Sequence, residues 1–366
     1  MGSIYDGRIR VSIFGQSHSQ GIGVVIDGLP AGLKIDEAEL NRFMQRRAPG
    51  KNIMSTQRKE ADRPIFLSGI VDGVTCGAPL CAVIYNNDQR SKDYSEIADK
   101  PRPGHADYVA HVKYGGAQDV RGGGHFSGRL TAPLCIAGGI FLQLLKNEGI
   151  TIGAHIKSIR NTEDTPFDLV NIDPALLDAI SEKEVPVIDD NAGNKMREVI
   201  EEARMSLDSV GGIIECATVG LPVGLGDPMF DGMENRLARL VFGIPAIKGL
   251  EFGSGFESAR KLGSENNDSY YYDTDGNVKT RTNNNGGILG GITSGMPMVF
   301  RCAVKPTSSI SQEQDTILLS AKENAKLKVV GRHDPCITVR AVPCVVAATA
   351  IAVYDALIEK RMSENN

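Results

Sequence analysis

Residues 101–131 concentrate the groups of this chain that could carry out chemistry. The stretch holds three of the six histidines, His105, His111 and His125, together with three arginines and a glycine triplet at positions 122–124. Glycines let a phosphate or a planar ring approach backbone N–H groups closely, and imidazoles exchange protons near neutral pH. The stretch therefore predicts an anionic-ligand pocket that carries titratable groups.

A hydroxyl and an imidazole also stand side by side near the N-terminus. Ser17 and His18 follow a short apolar run at residues 11–14, so they fall at a predicted strand-to-loop junction. The pair could relay or donate protons. His18 could equally be a buried structural histidine whose hydrogen bonds are satisfied, and the local sequence leaves both interpretations open.

Two further segments combine a cation with oxygen groups. Residues 305–309, Lys-Pro-Thr-Ser-Ser, place an ammonium beside three hydroxyls, which suits a phosphate, although a simple turn would have the same composition. Residues 331–335, Gly-Arg-His-Asp-Pro, place a cation near a carboxylate just before a predicted C-terminal helix, where a capping turn is the alternative. Neither segment identifies a site when taken alone.

A basic run stands out in an otherwise acidic protein. It consists of Arg42, Arg46, Arg47, Lys51, Arg58, Lys59 and Arg63. Guanidinium groups grip phosphates and carboxylates through paired, charge-assisted hydrogen bonds. The run could bind such a ligand, or it could be an ordinary solvated helix face.

Composition restricts the class of protein. The 366 residues carry a formal net charge of −5, which disfavours a general nucleic-acid binder. No export signal is recognised at the N-terminus, and the apolar stretches at 130–145 and 341–354 are shorter than a membrane span of about 20 residues. The seven cysteines form no Cys-x-x-Cys pair and are predicted to be reduced core thiols in the cytoplasm.

The sequence also lacks several well-known chemical signatures. It contains no Walker-A loop, no Gly-x-Gly-x-x-Gly dinucleotide fingerprint, no His-Glu-x-x-His and no Gly-x-Ser-x-Gly. Standard nucleotide folds and hydrolase triads are therefore disfavoured. One pocket would have to gather the scattered His, Arg, Ser and Asp clusters, and it could hold a phosphorylated substrate and a phosphorylated cofactor.

The elements that must position these groups show a faint repeat. An apolar strand, the turn Gly-Leu-Pro-x-Gly-Leu and a helical pattern occur at residues 24–47 and again at 213–241. This predicts two pseudo-symmetric halves, although a shared turn chemistry would also explain a six-residue match. Helices are expected at 132–146 and 342–360, and a hairpin around Asp-Gly at 275–276, so the mixture predicts an α+β fold.

In their order along the chain, these strings resemble the chorismate synthase family over nearly the whole sequence. The matching strings are Gly-Gln-Ser-His at 15–18, Asp-Gly-Leu-Pro-Ala-Gly at 27–32, Arg-Pro-Gly-His-Ala-Asp-Tyr at 102–108, Arg-Gly-Gly-Gly at 121–124, Gly-Gly-Ile-Leu-Gly-Gly-Ile at 286–292, Lys-Pro-Thr-Ser-Ser at 305–309 and Gly-Arg-His-Asp-Pro-Cys at 331–336. Any one could arise by chance, but the ordered set is highly specific.

The resemblance implies a fold and a reaction. The fold would be a β-α-β sandwich with two pseudo-symmetric halves, formed by residues 1–366 as one domain and assembled into a homotetramer. The reaction would be the 1,4-elimination of phosphate from 5-enolpyruvylshikimate 3-phosphate to give chorismate, the last common step of the shikimate pathway. Reduced FMN would lend electron density as phosphate leaves, without net oxidation, and a separate flavin reductase would supply it.

The resemblance also implies roles for single residues. His18 would help the phosphate leave, His105 would face the N1 side of the flavin, and Asp334 with Ser17 and Ser127 would relay a proton. The cofactor-binding residues would be His125, Phe126, Ser127, Ala246, Gly290, Lys305, Pro306, Thr307, Ser308, Ser309 and Arg332. The substrate-binding arginines would be Arg47, Arg102, Arg129 and Arg332. No metal is implied.

Several positions depart from the commonest family pattern. They are Gln16 for Glu, Ser19 for Gly, Ile53 for a second substrate arginine, His125 and Phe126 for Arg-Ser, Pro245 for Asn and Val346 for a helical Glu. Losing arginines at 53 and 125 subtracts positive charge, which Lys51 or His125 could partly replace. An active enzyme is expected, while a flavin-dependent oxidoreductase and a catalytically silent phosphate-binding protein stay open as alternatives.

Overall fold

The computed structural model describes residues 2–48, 62–86, 98–329 and 334–364. Within these residues, runs of consecutive strands are interrupted by helices. The strands are β1 (Ile4–Asp6), β2 (Arg10–Gly15), β3 (Gly21–Asp27), β4 (Ile65–Ser68), β5 (Ile70–Val71), β6 (Val74–Thr75), β7 (Leu80–Tyr85), β8 (Thr151–Ile159), β9 (Thr162–Glu163), β10 (Gly212–Val219), β11 (Ile247–Phe252), β12 (Tyr270–Tyr272), β13 (Val278–Thr280), β14 (Ile288–Leu289), β15 (Ile292–Thr293), β16 (Met298–Val304), β17 (Glu313–Leu318) and β18 (Glu323–Lys328). The α-helices are α1 (Glu37–Arg47), α2 (Asp107–Tyr114), α3 (Thr131–Asn147), α4 (Pro174–Ser181), α5 (Asp190–Met205), α6 (Met233–Val241), α7 (Gly263–Asn266) and α8 (Thr338–Glu364).

Two antiparallel sheets form the outer layers. In the described part of the chain, one sheet has the strand order β1-β2-β3-β7-β4 and the other the order β11-β16-β10-β8-β9. Alternate residues of β3, namely Ile22, Val24 and Ile26, are completely buried because successive side chains of a strand point to opposite faces. That period of two gives the first sheet one apolar face toward the core.

Helices α3 and α8 form the layer between the sheets. α3 packs on β2, β3 and β7, while α8 packs on β8 and β10, and the two helices pack on each other. Their backbones approach so closely that a Cβ at Gly138 would lie 2.3 Å from Cα of Ala347. The arrangement is the predicted β-α-β sandwich.

Both central helices are long and apolar enough to cross a membrane by length and composition. The most apolar 18-residue segments of Gly128–Asn147 and Thr338–Glu364, however, are 89% and 94% buried inside the protein. The apolar faces are therefore used for packing, as expected for core helices. α8 begins at Thr338, four residues before the predicted start, and continues through Pro343.

The predicted repeat is confirmed by the topology. The order β2-β3-β7-β4 in one sheet corresponds to β8-β10-β16-β11 in the other, with α1 and α6 in equivalent places. The two turns share an equivalent hydrogen bond: Thr75 Oγ1 donates to the Pro30 carbonyl at 2.6 Å, and Thr293 Oγ1 donates to the Pro222 carbonyl at 2.7 Å. Shared turn chemistry alone would not reproduce the strand order.

The cysteine prediction holds only in part. All seven cysteines are free thiols, and five are buried. Cys76 is exposed and Cys81 is partly buried, so they are not core thiols. Cys76 directly follows β6, and Cys81 is the second residue of β7.

Candidate functional site

One cavity of about 860 Å³ gathers most of the predicted site residues. The predicted residues that line it are Arg47, Arg102, His105, His125, Phe126, Ser127, Arg129, Ala246, Lys305, Pro306, Thr307, Ser308, Ser309 and Asp334. A larger depression of about 1200 Å³ beside α1 and α4 contains none of them. Segments separated by more than 200 residues therefore meet at the smaller cavity.

The glycine triplet lies between two predicted catalytic histidines. Gly122, Gly123 and Gly124 have φ values of 59°, 84° and 54°, which side chains rarely tolerate. A Cβ at Gly122 would lie 2.5 Å from Cε1 of His18, and one at Gly123 would lie 3.1 Å from Cε1 of His105. The triplet is thus required for the close approach of both imidazoles.

Ser17 and His18 lie behind this triplet and are almost completely buried. The Ser17 N–H donates to the Gly124 carbonyl at 3.0 Å, and Nδ1 of His18 is 3.2 Å from Oγ of Ser17. Neither residue lines the cavity directly, but Gly122, which touches both, does. The hydroxyl and imidazole are therefore paired one layer behind the cavity wall.

His105 is oriented by a buried ion pair at the start of α2. Arg102 donates from Nε and Nη2 to the two carboxylate oxygens of Asp107 at 2.7 and 2.8 Å. Nδ1 of His105 lies 2.6 Å from Oδ1 of Asp107, to which it donates. Burial alone would raise the pKa of Asp107, but hydrogen bonds from Arg102 and His105 outweigh it and lower that pKa.

A second buried carboxylate joins the other two substrate arginines. Asp62 bonds to Nη1 of Arg47 through Oδ2 and to Nη1 of Arg129 through Oδ1. Burial would raise the pKa of Asp62, but the positive charges of Arg47 and Arg129 lower it below the ordinary value. The carboxylate therefore stays ionised between two cations.

Asp334 is held by a cation that the sequence analysis did not assign. Arg340, in the first turn of α8, donates from Nη1 to Oδ2 of Asp334 at 2.6 Å and from Nε to the Arg47 carbonyl at 2.9 Å. This contact ties the C-terminal helix to the end of α1. Asp334 thereby reaches the same cavity as Arg47.

The hydroxyl-rich segment 305–309 lies against the loop of Arg102. Nζ of Lys305 donates to the Gly104 carbonyl at 2.9 Å, and Nη1 of Arg102 donates to Oγ of Ser309 at 3.0 Å. Burial, with a smaller effect of Lys248, lowers the pKa of Lys305. Beside this segment, Ala246 has a φ of 76° and accepts the Lys305 N–H through its carbonyl.

His125 is anchored by the N-terminal residues. Its Nδ1–H donates to the Gly15 carbonyl at 2.7 Å, and Nε2 is 2.6 Å from Oγ of Ser3. Its neighbour Phe126 is 38% exposed at the rim. Ser127 accepts the Arg129 N–H at 3.3 Å and so begins the short helical turn that leads into α3.

Among the described residues, the predicted site residues that do not line this cavity are Ser17 and His18, which lie behind Gly122, and Gly290. Gly290 lies in the turn between β14 and β15, where the adjacent Gly291 carbonyl accepts the Met233 N–H at the start of α6. Arg332 and the departure at Ile53 lie outside the described residues, as does Lys51.

The sequence analysis assigned no role to Asp62 or Arg340, although the sequence around each residue indicates a buried charge. Asp62 lies within the basic stretch at 58–63, where the arginines and lysine drew attention away from its carboxylate. Arg340 is a charged residue at the beginning of an almost wholly apolar helix. A charge in such a segment must find a buried partner, which here is Asp334.

Comparisons with known proteins agree with the geometry. The family model described as chorismate synthase matches residues 9–358. The chain is 48% identical to the chorismate synthase of Lancefieldella parvula, covering 100% of this chain and 98% of the relative, and 46% identical to that of Pyrococcus abyssi, covering 98% of each. A crystal structure of chorismate synthase superposes with a TM-score of 0.76 at 27% identity, covering 96% of this chain and 92% of that one.

Proposed function

The chain belongs to the chorismate synthase family, and from this premise we propose which of its residues carry the family's reaction. The protein is a lyase that converts 5-enolpyruvylshikimate 3-phosphate into chorismate and phosphate in the shikimate pathway. The observation that supports the residue assignment is the gathering of fourteen predicted site residues around one cavity.

Reduced FMN is the proposed cofactor, and the cavity has features that fit it. Oγ1 of Thr307 is buried without a hydrogen-bond partner among the described residues, as expected for a hydroxyl that awaits a ligand. Lys305 supplies a cation beside Thr307, Ser308 and Ser309, which suits the FMN phosphate. When bound, reduced FMN supplies electron density during phosphate loss.

The arginines are proposed to hold the polyanionic substrate, which carries one phosphate and two carboxylates. Arg47, Arg102 and Arg129 line the cavity, and each is fixed by a buried carboxylate before any ligand arrives. Fixed guanidiniums lose less freedom when they bind phosphate or carboxylate groups. We also assign a substrate contact to Arg332.

Proton movements are assigned to groups around the glycine triplet. The imidazole of His18, with Ser17 beside Nδ1, is proposed to protonate the departing phosphate. His105, whose Nδ1 is held by Asp107, is proposed to stabilise negative charge on the cofactor ring through its other edge. Asp334, with Ser17 and Ser127, is proposed to relay the proton that the substrate ring loses.

The assembly and setting are also proposals. We infer one domain over residues 1–366 and a homotetramer in the cytoplasm, with Gly290 contributing to the cofactor site in that assembly. A separate reductase is proposed to supply reduced FMN. Oxidised FMN and NADPH with this chain alone, in the dark, should then give no chorismate.

An anaerobic assay tests the reaction and the site together. With photoreduced FMN and 5-enolpyruvylshikimate 3-phosphate, chorismate and phosphate should appear in equal amounts while the flavin stays reduced. His105→Ala and Asp334→Ala should lower turnover at least about a hundredfold each, whereas His111→Ala, a control in α2 outside the cavity lining, should not. Stoichiometric flavin oxidation would indicate an oxidoreductase instead, and wild-type turnover in both variants would refute the site.

A further inference from the structure

The two substrate arginines Arg47 and Arg129 come from different elements but bind one carboxylate. Arg47 ends α1, and Arg129 lies in the short helical turn before α3. The side chain of Asp62 between them is 0% exposed, and each of its oxygens bonds to one guanidinium. One carboxylate therefore contacts both cations and contributes to their relative placement.

Each guanidinium is anchored at a second nitrogen. Nε of Arg47 donates to Oγ1 of Thr131 at 3.1 Å, and Nε of Arg129 donates to Oδ1 of Asn86 at 3.2 Å. The planar guanidinium has a fixed fork of donors, so two anchored nitrogens fix the orientation of the whole group. The carboxylate and its two neighbours thus orient both cations on the cavity wall.

The backbone at Asp62 also indicates a constrained position. Its φ is 48°, in the left-handed region, which residues with a Cβ adopt at a cost and aspartate tolerates better than most. Such conformations persist where the surroundings demand a particular side-chain direction. Here that direction aims the carboxylate between the two arginines.

We propose that Asp62 is a positioning residue for the reaction, which holds Arg47 and Arg129 in the orientation that binds an anionic group of the phosphorylated substrate. The carboxylate acts through the arginines and does not itself touch substrate. This inference rests on the proposed substrate-binding role of the two arginines.

Asp62→Asn is the principal test. The amide keeps the shape of the side chain but has one acceptor oxygen, so it can hold only one guanidinium and presents N–H groups to the other. We expect KM for 5-enolpyruvylshikimate 3-phosphate to rise about tenfold or more, with a smaller fall in kcat. An unchanged or lower KM, or a kcat loss larger than the KM increase, overturns the proposal.

A double-variant comparison tests whether Asp62 acts through the arginines. In an Arg47→Ala background, the asparagine oxygen can still hold Arg129, so Asp62→Asn should change KM less than about threefold. A full tenfold effect there would show that Asp62 acts by another route. If Arg47→Ala and Arg129→Ala themselves leave KM unchanged, the proposed arginine role fails instead.

Controls separate positioning from folding. Asp164→Asn alters another buried carboxylate, which bonds to His155 and to the N–H groups of residues 188 and 189, none of which lines the cavity, and KM should stay at the wild-type value. FMN affinity of Asp62→Asn, measured by flavin fluorescence, should match wild type. If Asp62→Asn does not fold, Asp62→Glu keeps the charge but displaces it by one methylene, and a wild-type KM in that variant overturns the proposal.

Discussion

Gly122→Ala should displace the imidazole of His18, and its effect on turnover can be distinguished from its effect on the stability of the fold. The new Cβ would lie 2.5 Å from Cε1 and 2.6 Å from Nδ1 of His18. Ordinary van der Waals contact begins at 3.4 Å, so the imidazole must move by about 1 Å. Misplacement of a catalytic group by that distance can lower turnover about a hundredfold, or about 2.7 kcal/mol in activation free energy.

The same substitution also strains the backbone, and that cost can be measured independently. Gly122 has a φ of 59°, a conformation that costs an alanine about 1–2 kcal/mol. Gly115, after α2, has the same φ of 59°, but a Cβ there would meet nothing within 4 Å. Gly115→Ala is therefore a matched control for strain without displacement of His18.

The assay compares kcat with reduced FMN under anaerobic conditions and the free energy of unfolding in urea. Both variants should lose the free energy of the backbone strain, and Gly122→Ala should lose about 1–3 kcal/mol more because its Cβ overpacks against His18, but only Gly122→Ala should lose turnover about a hundredfold. Gly123→Ala, whose Cβ would lie 3.1 Å from His105, should lose less turnover because His105 needs to move by only a few tenths of an ångström. Equal turnover in Gly122→Ala and Gly115→Ala would refute the assigned place of His18.

Three further predictions concern stability and cofactor binding. Burial would lower the pKa of His155, but hydrogen bonds to Asp164 and Glu215 raise it. The charged imidazole therefore contributes its full stabilisation below about pH 6.5, and this contribution is lost as the pH rises through the folded-state pKa. The urea midpoint of the wild type should fall as the pH rises through this interval, and that of His155→Gln should fall less. Lys305→Ala should weaken FMN binding about tenfold or more by fluorescence titration, whereas Lys195→Ala on exposed α5 should not, and equal affinities would contradict the phosphate role. Gly138→Ala should destabilise the fold by about 3 kcal/mol in urea unfolding because α3 and α8 must separate, and a loss below about 1 kcal/mol would show that the helices adjust freely.

Much of the fold was accessible from local patterns. The helix predicted at 132–146 is observed as Thr131–Asn147, and the hairpin pairs Tyr270–Tyr272 with Val278–Thr280. These elements depend on nearby residues, because periodicity and turn chemistry act over a few positions. α8 begins at Thr338, four residues before the predicted start at 342, so Pro343 lies inside the helix and not in its first turn.

The sequence motifs that contain the site residues were also recognisable, but their arrangement in three dimensions was not. The sequence by itself determined which residue types were available, that the chain resembles the chorismate synthase family, and that a strand-turn-helix unit recurs. It could not indicate that Gly122 contacts His18, more than a hundred positions away, or that Gly290 lies off the cavity lining of this chain. Such contacts depend on how the sheets pack on α3 and α8.

The partners of the arginines were decided by the tertiary structure alone. Arg47, Arg102 and Arg129 could each have faced solvent, as the basic pattern around α1 allowed. Packing instead buried them, and a buried charge is stable only beside a compensating one. Asp62 and Asp107 provide those charges. Counting charges along the chain does not identify these two carboxylates, because the packing of the chain decides which carboxylate is buried beside each arginine.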